Sequence, residues 1–76
     1  MFFFLKSRAV KELEAIIFEI DVNLQNNYKS TAHAARKKLG ERVEALWREG
    51  KLKEKEYFHY RARYETYTQV MKDYHH

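Results

Sequence analysis

Four histidines and a handful of carboxylates are the side chains here that could bind a metal or move a proton near neutral pH. The imidazoles are His33, His59, His75 and His76, and there is no cysteine. Glu56 and His59 form one Glu-x-x-His step, which would put a carboxylate and an imidazole on one helical face. A dinuclear bundle site needs two such steps and further inward glutamates, and a second Glu-x-x-His is missing. His-Glu-x-x-His, a Cys–His spacing, a glycine-rich phosphate loop and a nucleophile elbow are missing as well. Glu12, Glu19 and Asp21 read as acids of an amphipathic helix, and His75-His76 as an adventitious chelating pair. We therefore expect a non-enzymatic protein, with no catalytic residue, metal ligand or cofactor to assign.

The second chemistry within reach is nucleic-acid binding. The chain carries +4 at neutral pH, and residues 29–63 hold eleven cations against five carboxylates. Arg36, Lys37, Lys38, Arg42, Arg61 and Arg63 could meet phosphates while tyrosines stack on bases. That requires all six cations to share one face. The competing reading is a solvated helical surface, with Glu44 and Arg48 at a stabilising i,i+4 spacing. No helix-turn-helix, zinc-finger or RNA-binding signature accompanies the charge, so nucleic-acid binding is the alternative function.

The elements that would carry these residues are helices. Tyr57, Tyr60, Tyr64, Tyr67, Met71 and Tyr74 alternate three and four apart, a heptad seam on a helix of about 53–74. Gly50 suits the left-handed position that ends the preceding helix, and Leu52 can pack on Tyr57 as a staple. Upstream, Lys6 to Glu49 contains no proline and a single glycine, Gly40. An apolar stripe runs from Leu13 to Leu46 at about 3.67 residues per turn, which one nearly straight helix can present. We therefore expect an all-α fold: an antiparallel helical hairpin with a long first helix, about 5–49, and a second of about 53–74. Leu13, Ile16, Ile17, Ile20 and Leu24 would then lie beyond reach of the hairpin and form an oligomer interface in a dimeric helical bundle. The alternative is a three-helix bundle with a break near 26–31, where asparagine, serine and threonine are poor helix formers and good caps. In that stretch a buried asparagine would instead fix the register of the seam.

With 76 residues the chain is read as one small domain, 1–76, of the size that gains stability by self-association. Lack of cysteine suits a reducing compartment, and we expect a cytoplasmic homodimer or protein-interaction module. Phe2-Phe3-Phe4-Leu5 is too short to span a bilayer and lacks a preceding basic region. Lys6, Arg8 and Lys11 could approach lipid phosphates, but Glu12 and Glu14 follow at once, so a membrane partner is disfavoured.

Overall fold

The computed structural model describes residues 6–72, which form three α-helices and no strand: α1 (Arg8–Gln25), α2 (Lys29–Arg48) and α3 (Glu54–Val70). The Ser7 hydroxyl opens α1 by accepting the Val10 N–H at 3.1 Å, satisfying one of the four free donors of the first turn. At the opposite end of α1, Asn27 takes a left-handed conformation with φ of 60°. The Tyr28 N–H then reaches the Asn23 carbonyl at 2.9 Å and the Asn27 N–H reaches Leu24 at 3.1 Å. This is a Schellman stop. α2 ends identically: Gly50 has φ of 73°, the Lys51 N–H meets the Leu46 carbonyl at 2.9 Å, and the Gly50 N–H meets Trp47 at 3.0 Å. α3 begins after Lys53, whose N–H is held by the Glu56 carboxylate at 2.8 Å. Leu52 is buried just ahead of it.

The continuous helix over 5–49 is therefore not present, and the break falls at residues 26–28. The three-helix architecture fits the alternative reading. Glycine and proline were not needed, because asparagine visits the left-handed region more readily than other side-chain-bearing residues. Its short polar side chain is the reason. α2 starts at Lys29, one residue before the first of the expected caps, Ser30. Tyr74 lies outside the described residues, as do Phe2 to Leu5, His75 and His76.

Folding at Asn27 lays the two halves of the apolar stripe against each other. Glu12 pairs with Arg42 and Glu19 with Lys38, which shows α1 and α2 running antiparallel. Leu13, Ile16, Ile17 and Ile20 are buried in one cluster with Ala32, Ala35, Leu39, Val43 and Leu46, and Leu24 packs partly buried at its edge. Burying a leucine or isoleucine contributes about 1.5–3 kcal/mol, so this face anchors the fold. α3 runs antiparallel to α2 and parallel to α1, as the pairs Tyr57–Glu44, Tyr60–Glu14 and Tyr67–Asp21 show. Gly40 is the close approach between α2 and α3. A Cβ there would lie 2.6 Å from Cε1 of Tyr64, so the ring rests directly on the backbone of α2.

If Asn27 stops α1 by its backbone conformation, its substitutions should follow the left-handed preference. We expect Asn27→Ala to lower unfolding free energy by about 1 kcal/mol and Asn27→Gly to preserve or raise it. Urea unfolding followed by circular dichroism measures both.

Candidate functional site

The residues the sequence singles out fall into three groups, and the fold treats each differently. The first is the tyrosine seam. The only buried residues within α3 are Tyr60 and Tyr67, with Met71 buried just past its end and Tyr57 and Tyr64 partly buried. Seam position decides which neighbour each hydroxyl reaches. Tyr57 donates to Glu44 of α2 at 2.9 Å, and Tyr64 accepts from Arg36 of α2 at 3.4 Å. Tyr60 donates to Glu14 of α1, and Tyr67 donates to Asp21 of α1 at 2.5 Å. One set of heptad positions therefore faces α2 and the other faces α1. The rings fill the space between the helices, and the hydroxyls end on charged groups at the rim, as expected of amphipathic aromatics.

The surrounding cations complete this seam. Arg63 donates to the Tyr67 hydroxyl at 2.8 Å, and its guanidinium lies 5.4 Å from that ring's centre. Arg36 and Arg61 lie 5.8 and 5.4 Å from the Tyr64 ring centre. Arg36 also reaches Thr68 Oγ1 at 3.3 Å, while its Nε is buried with no hydrogen-bond partner in the structure. Trp47 stacks on Tyr57 with ring centres 4.6 Å apart, and Tyr57 meets Phe58 at 5.5 Å. A continuous aromatic corner thus stands at the α2–α3 turn.

The second group is the six candidate phosphate-binding residues, and the fold does not gather them. Arg42 makes a two-pronged contact to Glu12, with its Nη2 at 3.1 Å from Oε1. Lys38 lies 3.1 Å from Glu19. Arg61 lies 3.4 Å from Glu44 and 3.1 Å from Glu65. Arg36 and Arg63 are engaged with tyrosines, and Lys37 is exposed. Lys37 does line a shallow groove of about 370 Å³ between α2 and α3, with Arg48 and Arg61, but Glu41 and Glu44 line it too.

The third group is the apolar α1 face assigned to a dimer interface. Leu13, Ile16, Ile17 and Ile20 are buried in the core of the same chain, and Leu24 is partly buried at its edge. Among the described residues no three histidine or acidic side chains come together to hold a metal ion, and no helix is long and apolar enough to cross a membrane.

Local chemistry shifts several ionisations. Burial, and then the bond to Glu14, pushes the Tyr60 hydroxyl well above the usual tyrosine range. Burial and Asp21 push Tyr67 up, and the bond to Glu44 pushes Tyr57 up. The Arg42 guanidinium holds the Glu12 carboxyl below its ordinary value. Each of these three hydroxyls is tied to a carboxylate of a neighbouring helix.

The chain matches no protein-family model, no curated protein and no solved structure at a significant level.

Sequence reasoning located the tyrosines but not their acceptors. The signal was present: Glu14 and Asp21 are seven apart, as are Tyr60 and Tyr67, so two parallel helices meet in register. The aromatic corner was also missed. Trp47 and Tyr57 become neighbours once Gly50 is accepted as a chain reversal.

The raised tyrosine values set an alkaline limit. A hydroxyl whose folded value exceeds the unfolded one, about 10, contributes stability that is complete below pH ~10. That stability is lost as pH rises through the folded values. We expect helical circular dichroism to persist to about pH 10 and then fall together with the appearance of tyrosinate absorbance. Tyr60→Phe/Tyr67→Phe should lose stability less steeply with pH in that range. Full tyrosine ionisation in an unchanged helical protein would contradict this.

Proposed function

We propose that the chain is a small non-enzymatic helical module for protein–protein interaction, with a second copy of itself as the first partner to test. The observation that carries this reading is Phe18. It is 69% exposed at the centre of α1, although Leu13, Ile16, Ile17 and Ile20 are buried. Phe18 lies four residues after Glu14 and three before Asp21, on the helical ridge that meets α3. Along that ridge α1 is joined to α3 through the hydroxyls of Tyr60 and Tyr67. Val70 on α3 is 67% exposed, one turn beyond Tyr67. A helix from a partner laid along this side would cover Phe18 and Val70 and complete a four-helix arrangement, which a small domain can use for stability. The surface involved differs from the Leu13–Leu24 face first assigned to the dimer.

Nucleic-acid binding draws less support. Five of its six proposed cations are engaged with side chains of the same molecule, and acids line the α2–α3 groove.

Sedimentation equilibrium tests the proposal. The wild-type chain is expected to associate in a manner insensitive to salt, and Phe18→Glu to shift it to monomer with unchanged circular dichroism. Each exposed aromatic at the centre of an interface is commonly worth 2 kcal/mol or more, about 30-fold in association. A wild-type chain that stays monomeric at its highest soluble concentration removes self-association.

A further inference from the structure

The chain's surplus of positive charge is concentrated at one end of the bundle. The start of α1 brings Lys6, Arg8 and Lys11, and the α2–α3 turn brings Arg48, Lys51, Lys53 and Lys55. The two segments adjoin, since Ser7, Gly50, Lys51, Leu52, Lys53 and Glu56 line one shallow cavity of about 300 Å³. This end holds seven cations against Glu49, Glu54 and Glu56. The remainder of the chain carries eight charges of each sign, so the end accounts for the whole net charge of +4. Glu49 lies 3.6 Å from Lys51, and Glu56 holds the Lys53 N–H at the start of α3.

The acids that follow the first basic cluster have partners within the bundle. Glu12 is bound by Arg42 and Glu14 by the Tyr60 hydroxyl, so both carboxylates are engaged within the bundle. Apolar groups stand beside the cations. Phe58 is 60% exposed and Trp47 38%, with the Tyr57 ring between them.

We propose that this end of the bundle docks on an anionic lipid surface, the cations meeting headgroups and Trp47 and Phe58 entering the interface. Stable attachment of a peripheral protein takes two signals, and a basic patch with an apolar one is such a pair. Tryptophan is favoured at the headgroup level of a bilayer. Five of the seven cations are lysines, which act as point charges and do not supply the planar fork that reads base edges. A nucleic-acid strand following the α2–α3 groove from this end would also meet Glu41 and Glu44.

Trp47 is the sole tryptophan, so its fluorescence reports on this end alone. The full chain is titrated with vesicles of phosphatidylcholine and with vesicles containing phosphatidylserine, following Trp47 emission and co-sedimentation. We expect a blue shift and pelleting with the anionic vesicles only, both abolished near 0.5 M salt, roughly, where screening is short-ranged. Each lysine near an anionic surface is worth about five-fold in binding. Lys51→Gln/Lys53→Gln/Lys55→Gln should therefore weaken vesicle affinity on the order of 100-fold with an unchanged helical spectrum. Absence of binding to anionic vesicles overturns the proposal, as does equal binding to neutral ones or undiminished binding by the triple variant. Tight binding to a short RNA or DNA duplex with none to vesicles also overturns it and assigns the end to nucleic acid. Phe18→Glu, which tests self-association, is expected to bind vesicles as the wild type does.

Discussion

The structure depends on how a helix with almost no aliphatic face is held against two others. α3 buries Tyr60 and Tyr67 and, just past its end, Met71. Its tyrosines carry enough ring area to fill an inter-helix seam and a hydroxyl long enough to reach the far side. Because a heptad alternates between two directions, Tyr57 and Tyr64 meet α2 while Tyr60 and Tyr67 meet α1. Hydrogen bonds to charged partners are worth about 1.5–3 kcal/mol each, more than neutral ones. α1 and α2 need no such device, since leucine, isoleucine, valine and alanine interlock directly. Gly40 serves this seam too, because only a missing Cβ lets Tyr64 lie on α2.

This division explains what the sequence revealed and what it did not. The heptad of tyrosines was legible because its spacing is local, and Gly50 was legible because glycine marks a left-handed stop. Asn27 performs the same backbone conformation, but asparagine is also a tolerable helix resident, so the stripe from Leu13 to Leu46 read as one helix. The stripe itself was real. Its two halves face each other in place of facing a second chain, and periodicity cannot distinguish a straight helix from one folded at its midpoint. The acceptors Glu14, Asp21 and Glu44 were invisible for a related reason: they are defined by the register between helices, which only the fold sets.

The same bonds shape what is left for function. Arg36, Lys38, Arg42, Arg61 and Arg63 are spent within the molecule, and so are Glu12 and Glu14. Exposed apolar groups stand at separate places among the described residues: Phe18 on α1, Tyr28 at the α1–α2 turn, Val70 on α3, and Trp47 and Phe58 with the lysines at the α2–α3 turn. A rigid scaffold with an apolar side and a basic, aromatic end suits binding. The grooves lined by Lys37, Gly40 and Tyr64 and by Ser7, Lys51 and Lys53 are shallow and open.

Tyrosine hydroxyls on carboxylates, added to the burial of the Tyr60 and Tyr67 rings, fasten α3 to α1. Native-state hydrogen exchange, resolved by helix, tests this most directly in Tyr60→Phe/Tyr67→Phe against the wild type. Losing two charge-assisted bonds should reduce protection in α3 by 100-fold or more, roughly, while α1 and α2 keep most of theirs. Unchanged protection in α3, or an equal loss in all three helices, would rule out this role for the hydroxyls.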